Sequence, residues 1–375
     1  MCMNARLVIN PFKPTAGAEP PVLVGRERVI EDFRDGIEEG VGAPGRLMRI
    51  TGLRGSGKTV LLTELGDIAR ENGWTVVDVS ANGSLLDKVK RALRQSSAHA
   101  EASVEANFGF VTARAAVNKE EGPLDLREVL TTVVSELTEK GRGLLITIDE
   151  VQDGDEDEFR ELATTIQHLI RERLNIAFVF AGITTGVLNL INGKALTFLR
   201  RAKAEELASI PIEEVATSFQ KTFADSGFDA DESVFEAMSS ATHGYAYLIQ
   251  LVGYGVFAQA KRHAAISKTV SVADAERGIE RAYIDFSDAV LLPALDELPK
   301  RSIDFLLAMT EDEDKSGTGT IAKRMGLEAP QLTATRRLLI ERQVIEAPSR
   351  GLVRFAIPRL REYLLENREE ILSRF

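Results

Sequence analysis

Residues 52–59 read Gly52-Leu53-Arg54-Gly55-Ser56-Gly57-Lys58-Thr59 and match G-x-x-x-x-G-K-[ST], the pattern of a phosphate-binding loop. The alternating residues 46–51 before the loop predict a strand, and the apolar spacing of residues 60–65 after it predicts a helix. Glycines let successive N–H groups point at one phosphate chain, and the helix N-terminus adds a positive dipole end. A chance glycine-rich turn is the alternative, but it does not explain the flanking strand and helix. The sequence therefore predicts a site for a nucleoside triphosphate.

The residue types in this loop predict separate tasks. Lys58 is expected to reach the β- and γ-phosphates, where it would support catalysis, and the Thr59 hydroxyl is expected to bind Mg²⁺. The loop backbone is expected to cradle the phosphates. The predicted loop set for nucleotide binding is Gly52, Arg54, Gly55, Ser56, Gly57, Lys58, Thr59 and Val60.

A second motif is the apolar run 144–148, which ends in Thr147-Ile148 and then in two carboxylates, Asp149 and Glu150. The run is too short for a helix and typical of a buried parallel strand. Downstream of a phosphate-binding loop, Asp149 is predicted to hold Mg²⁺, and Glu150 is predicted to polarise the attacking water. The alternative is a strand that happens to meet the acidic loop 153–158.

Five segments are predicted to form a parallel sheet in an α/β domain, because helical patterns separate them. They are residues 46–51, 74–80, 144–150, 176–181 and 207–210. Thr184 or Thr185 follows the fourth segment, where a polar side chain could sense the γ-phosphate or simply cap a helix.

The rest of the chain divides by pattern. Residues 1–21 contain four prolines and are expected to form an extended arm. Residues 212–292 are predicted to be all helical, and residues 293–375 to run helix, helix, helix, hairpin, the order of a winged helix. The predicted domains are therefore 1–21, 22–211, 212–292 and 293–375. Residues 104–110 are read as an inserted strand or hairpin of unassigned function.

The cysteine count, the length of the apolar runs and the net charge argue against several classes of protein. The single cysteine argues against a disulfide framework and fits a reducing cytoplasm, and no apolar run reaches the roughly 18 residues of a membrane span. A cytoplasmic protein is expected. The net charge of −11 argues against coating nucleic acid by bulk electrostatics. Residues 296–375, however, hold fourteen basic and fourteen acidic side chains, so any nucleic-acid role is assigned to this neutral C-terminal part.

Together these motifs resemble the AAA+ ATPases, most closely the group of archaeal origin-recognition initiators and STAND-type signalling ATPases. The resemblance rests on Val24-Gly25-Arg26-Glu27 as the N-terminal box, on residues 52–59 as Walker A and on residues 148–152 as Walker B. It covers nearly the whole chain. It implies a five-stranded parallel AAA+ sheet, a helical lid and a small winged-helix domain, with ATP and Mg²⁺ as cofactors.

The resemblance also implies further site residues. Val24 and Arg26 would lie by the adenine pocket, and Thr184 would take the place of the first sensor. Arg200 or Arg201 would act as an arginine finger in a nucleotide-dependent homo-oligomer. The alternative for these two arginines is a solvated basic helix end.

Two departures from the family pattern bear on activity. Residues 244–250 contain no lid arginine that could sense the nucleotide, and threonines replace the usual sensor asparagine. Both departures favour a slow switch over a ring motor. A GTPase is disfavoured because no strand precedes a guanine-reading motif, and a small-molecule kinase is disfavoured by the predicted lid and wing.

Two outputs of such a switch remain. The favoured one is duplex DNA binding through arginines of the predicted winged helix. These are Arg336, Arg337, Arg342, Arg350 and Arg354. The alternative is a signalling or assembly ATPase whose winged helix contacts protein, which the acidity of the chain favours.

Overall fold

The structure is a computed structural model that describes residues 9–15, 17, 20–102, 125–193 and 196–374. It divides into an α/β unit, Leu23–Gly52 with Ser56–Ala208, and a helical unit, Met1–Val22 with Leu53–Gly55 and Ser209–Phe375. The predicted insertion at residues 104–110 lies outside the described residues. Within the described ranges, no helix is both long and apolar enough to cross a membrane.

The α/β unit is built on a five-stranded parallel sheet, as predicted, with the strand order β2-β3-β4-β1-β5. Its strands are β1 (Leu47–Gly52), β2 (Thr75–Ser80), β3 (Leu144–Asp149), β4 (Ile176–Gly182) and β5 (Lys203–Leu207). Its helices are α1 (Glu27–Glu39), α2 (Lys58–Glu71), α3 (Leu85–Ala102), α4 (Leu126–Glu139), α5 (Glu156–Arg171) and α6 (Thr184–Asn192).

Helices cover the sheet on both faces, and two separate hydrophobic cores result. Helices α1 and α2 pack on one face, and α3 to α6 contribute to the core on the other. The first three residues of β3 are all apolar because the strand contributes to both cores. Leu145 enters the first core, whereas its neighbours Leu144 and Ile146 enter the second. A strand buried on both faces has no polar side, so its sequence does not alternate.

The fifth strand was predicted at residues 207–210, and the structure places it earlier, at Lys203–Leu207. This segment is charged, but among the described strands β5 lies at the edge of the sheet, where it pairs with β1. Its charges find partners on α1: buried Glu205 pairs with Arg28 at 2.8 Å, and Lys203 pairs with Asp32. Pairing satisfies the buried carboxylate, so hydrophobicity alone points to the wrong residues.

The helical unit follows Ser209. Its helices are α7 (Ile212–Asp225), α8 (Glu232–Ala241), α9 (Ala246–Arg262), α10 (Val272–Phe286), α11 (Leu292–Asp296), α12 (Lys300–Met309), α13 (Thr318–Arg324), α14 (Thr333–Glu341), α15 (Leu360–Glu366) and α16 (Arg368–Arg374). Its strands are β6 (Ser316–Gly317), β7 (Ile345–Glu346) and β8 (Leu352–Phe355). These three strands form an antiparallel sheet in the order β6-β8-β7. The order α12, α13, α14, hairpin follows the sequence prediction, and β6 is an addition to it.

The N-terminal arm lacks regular secondary structure over residues 9–15, yet it belongs to the core of the helical unit. Phe12 is 1% exposed and packs against Phe219 and Phe223, with ring centroids 5.7 and 5.8 Å apart. Asn10 Nδ2 also donates to the Tyr254 carbonyl at 3.1 Å. The arm therefore contributes a large apolar side chain that the sequence pattern does not reveal.

We expect Phe12→Ala to destabilise the helical unit by about 3–5 kcal/mol, because the truncation leaves a cavity among aromatic rings. The matched control is Ile9→Ala, since Ile9 is 72% exposed on the same segment, and its effect should stay within about 0.5 kcal/mol. Urea denaturation followed by far-UV circular dichroism measures both. Equal denaturation midpoints for the two variants would show that the arm does not stabilise the fold.

Candidate nucleotide-binding site

The sheet order brings the predicted motifs to one edge. Strand β4 lies between β3 and β1, and all three strands run parallel, so their carboxyl ends meet at the same edge. The phosphate-binding loop follows β1, the two acidic residues end β3, and Thr184 follows β4. In open α/β sheets this edge is where ligands bind.

The phosphate-binding loop has the backbone that its glycines predict. Gly55 and Gly57 adopt positive φ angles of 72° and 91°, and α2 begins immediately afterwards at Lys58. The Lys58 side chain is 4% exposed, and its Nζ donates to the Gly52 carbonyl at 3.2 Å. The ammonium is thus folded across the loop, where a bound phosphate chain would compete with the carbonyl for it.

Thr59 and Asp149 form the contact that joins the two motifs: Thr59 Oγ1 donates to Asp149 Oδ2 at 2.5 Å. Burial raises the pKa of Asp149 above its ordinary value, and the neighbouring Glu150 charge adds to this, whereas the Thr59 hydrogen bond opposes it. A partly desolvated carboxylate gains from a nearby cation. A hydroxyl and a carboxylate oxygen are also the hard donors that Mg²⁺ prefers, so these residues fit the predicted metal.

Glu150 occupies an unusual backbone position directly after β3. Its φ of 51° and ψ of 47° are left-handed, and its N–H donates to Asp149 Oδ1 at 2.9 Å. Its carboxylate accepts a hydrogen bond from Gln152 Nε2. Non-glycine residues take this conformation infrequently, and such positions cluster at functional sites.

Arg26, predicted near the adenine pocket, is buried and directs its guanidinium at backbone carbonyls. It donates to Gly25, to Ser56 at 3.2 Å and to Ala208 at 3.3 Å. Arg26 therefore ties the N-terminal box to the phosphate-binding loop and to the end of β5. Val24 is partly buried two residues before it.

The remaining predicted residues of this unit lie around α6. Thr184 and Thr185 form its first turn and are partly buried. Arg200 lies in a short 3-10 helix, and its guanidinium donates to the Ile191 and Asn192 carbonyls at 3.3 and 3.4 Å. Arg200 thus caps the C-terminal end of α6, where a cation is favourable, whereas Arg201 is exposed.

Three loop residues, Leu53–Gly55, group with the helical unit, and two contacts that the sequence did not predict hold them there. The Tyr245 hydroxyl donates to the Arg54 carbonyl, and Gln343 Oε1 accepts from the Arg54 N–H at 3.1 Å. Burial raises the pKa of Tyr245 well above its ordinary value, so its hydroxyl remains a donor. Tyr245 is the second residue of the segment 244–250, in which the family resemblance would place a sensing arginine.

The arginines proposed for DNA binding are largely engaged with carboxylates of the same unit. Arg337 pairs with Glu341 at 2.7 Å, Arg342 pairs with Glu297, and Arg354 pairs with Glu346. The Nε atom of Arg336 is buried without a hydrogen-bond partner, and Arg350 is exposed. Three of the five charges are therefore already balanced.

Comparison with known families identifies the first part of the chain. Residues 22–179 match the sequence model of a family described as "AAA ATPase domain". Over these residues the chain is similar to an AAA ATPase domain. Residues 288–364 match a second family, described as a domain of unknown function. No curated protein matches the chain.

Solved structures extend the similarity beyond residues 22–179. A Walker-type ATPase of Pyrococcus abyssi has 16% identity and a TM-score of 0.67, with 92% of this chain and 96% of that chain covered. The Aeropyrum pernix ORC2 protein has 15% identity and a TM-score of 0.65, with 96% and 97% covered. Cdc6p of Pyrobaculum aerophilum has 15% identity and a TM-score of 0.52, with the same coverage. At these identities the similarity shows the fold.

We expect Lys58→Ala to abolish or severely weaken triphosphate binding, because the substitution removes the cation that faces the phosphate site. Lys90→Ala, on α3 of the same unit, is the control for loss of one positive charge. Isothermal titration calorimetry with ATP compares the two variants, and circular dichroism checks the fold. An unchanged ATP affinity in Lys58→Ala would rule out this loop as the phosphate site.

Proposed function

We propose that the protein is a slow, Mg²⁺-dependent ATPase that acts as a nucleotide-dependent switch. The observation that carries the proposal is the hydrogen bond between Thr59 and Asp149, since it brings the end of β3 to the start of α2. Glu150 follows directly, so a candidate general base lies beside the candidate metal ligands. Adenine nucleotides are favoured because the similar Aeropyrum pernix ORC2 protein is described in ADPNP and ADP complexes.

Each residue is assigned a task in this proposal. Backbone N–H groups of residues 55–60 bind the phosphates, and Lys58 exchanges the Gly52 carbonyl for phosphate oxygens. Thr59 and Asp149 hold Mg²⁺, which when bound would neutralise charge on the phosphates. Glu150 accepts a proton from the attacking water, and Thr184 contacts the γ-phosphate. Arg26 acts through the backbone of the loop, because its guanidinium is directed at carbonyls.

Slow turnover is proposed from the groups that replace the usual sensors. Residues 244–250, where the resemblance places a cationic sensor, contain no arginine, so this segment would supply no guanidinium to stabilise developing phosphate charge. Arg200 is engaged in capping α6, so Arg201 is the better candidate for a finger that a second copy of the chain would supply. A finger acting between subunits would make hydrolysis depend on assembly.

For the output of the switch we propose duplex DNA, bound through α14 and the β7–β8 hairpin. Arginines on a helix and an adjacent hairpin suit phosphate and major-groove contacts. The alternative, a winged helix that contacts protein, is supported by the three ion pairs, because DNA would have to displace their carboxylates. DNA binding and protein binding predict different effects when arginines of α14 and the hairpin are replaced by glutamate.

Glu150→Gln should preserve ATP binding and lower hydrolysis by about 10²–10⁴-fold, because an amide cannot accept the proton of the attacking water. Glu161→Gln on α5 makes the same chemical change elsewhere in the unit and serves as the control. Phosphate release under saturating ATP gives the rates, and calorimetry gives the affinities. If Glu150→Gln hydrolyses ATP at the parental rate, Glu150 is not the base.

Reversing two exposed arginines, Arg337→Glu with Arg350→Glu, should weaken duplex binding by several orders of magnitude at about 50 mM salt. Loss of the phosphate contact at Arg350 should also reduce the slope of log K against log salt by about 0.9, whereas Arg337, which Glu341 already neutralises, should change the slope little. The control pair Lys261→Glu with Arg262→Glu changes net charge equally at the end of α9. Fluorescence anisotropy with a random duplex measures all three proteins. A parent protein that binds no duplex at this salt concentration would exclude DNA, and a changed oligomeric state in the first variant would support a protein partner.

A further inference from the structure

The side chain of Gln152 connects two strand ends of the candidate site. Its Nε2 donates to Glu150 Oε2, and its Oε1 accepts from the backbone N–H of Ile183 at 3.1 Å. Glu150 follows β3, and Ile183 follows the neighbouring strand β4, directly before Thr184. A carboxamide carries a donor and an acceptor side by side, so it can satisfy a carboxylate and an N–H together. Neither a hydrocarbon nor a carboxylate of that size can do both.

The chain leaves space for this side chain at two glycines. A Cβ added to Gly182, the last residue of β4, would come within 3 Å of Gln152 Oε1. A Cβ added to Gly186, inside α6, would overlap Gln152 Cβ. Neither glycine has a positive φ, so backbone conformation does not require glycine at either position. Glycine inside a helix is destabilising, and its presence at 186 is explained by the room that Gln152 needs.

The Glu150 carboxylate needs a hydrogen-bond donor such as the Gln152 carboxamide to hold it in one orientation. Its left-handed backbone sends the chain into a short 3-10 helix, Val151–Asp153, that contains Gln152. A glutamate side chain has three rotatable bonds, and a hydrogen bond to one oxygen restricts them while the second oxygen stays available. Misplacement of a reacting group by about 1 Å can cost about 10²-fold in rate.

We propose that Gln152 is a positioning residue for Glu150. Its carboxamide holds the carboxylate in the orientation that meets the attacking water and fixes that orientation relative to the loop that carries Thr184. The inference rests on the proposed role of Glu150 as the general base, and it assigns Gln152 no contact with ATP. Its signature is therefore a loss in kcat at unchanged ATP affinity.

The first experiment measures kcat, KM and ATP affinity for the full chain carrying Gln152→Leu, which is similar in size and lacks both polar groups. We expect kcat to fall about tenfold to a hundredfold, as is typical when a supporting hydrogen bond to a catalytic group is lost, with ATP affinity within about twofold of the parent. Gln167→Leu on α5 of the same unit is the control and should retain the parental kcat. A parental kcat in Gln152→Leu, or a raised KM at parental kcat, would overturn the proposal.

Two more variants separate positioning from a merely structural role. Gln152→Glu keeps the acceptor for Ile183 but cannot donate to Glu150, so its kcat should fall even if Gln152→Leu folds poorly. Gly186→Ala should also lower kcat, although alanine favours a helix, because its Cβ displaces Gln152. Parental kcat in both variants would contradict the inference.

The decisive measurement is the double variant. In a Glu150→Gln background, Gln152→Leu should lower kcat by no more than about twofold, because residues that act as one unit are non-additive. If the kcat loss of the double variant equals the product of the two single-variant losses, Gln152 acts independently of Glu150 and the inference is overturned. If Glu150→Gln alone retains the parental rate, the proposed base is wrong. If Glu150→Gln is inactive and Gln152→Leu is fully active, only the role of Gln152 is wrong.

Discussion

The hydrogen bond between Thr59 and Asp149 joins residues 90 positions apart, and the candidate site depends on the sheet that permits it. Strand β4 separates β1 from β3, so the loop after β1 and the acids after β3 meet across the end of β4. All of these strand pairs are parallel, which places every carboxyl end on one edge. A one-residue slip of β3 would turn its alternating side chains to the opposite faces of the sheet. The chemistry is therefore anchored by strand register rather than by a local loop alone.

The parts of the fold that the sequence predicted correctly are those in which local pattern and tertiary environment agree. Strand β3 is buried on both faces, and its sequence is apolar from Leu144 to Ile146. The start of α2 follows from the loop glycines, which have the positive φ angles that the motif implies. The fifth strand was predicted at the wrong residues because β5 carries charged side chains, which form ion pairs with α1. These ion-pair partners on α1 lie far from β5 in sequence, so a pattern of hydrophobicity cannot reveal them.

The same distinction applies to the site. Residue types and spacing were sufficient to select Lys58, Thr59, Asp149 and Glu150 as candidates. They did not reveal the orientation of Arg26 toward carbonyls 30 and 182 residues away, nor the bridge from Gln152 to Ile183. The glycines that make room for Gln152, Gly182 and Gly186, are visible in the sequence, but only the structure shows that neither has a positive φ. The pairing of Arg337 with Glu341 was also predictable, because the residues are four apart on one helix, whereas the pairing of Arg342 with Glu297 was not.

The ion pairs of α14 and the hairpin have a consequence for the thermodynamics of any polyanion that binds there. The salt dependence of binding to nucleic acid arises because bound small ions are released into solution and gain entropy. Glu341, Glu297 and Glu346 are tethered counterions: they stay beside the site when a polyanion displaces them, and once unpaired they attract small cations in place of those that the polyanion releases. Binding at such a surface would exchange one partner for another at nearly constant ion number. Its strength would then follow the geometry of the competing groups more closely than the ionic strength of the medium.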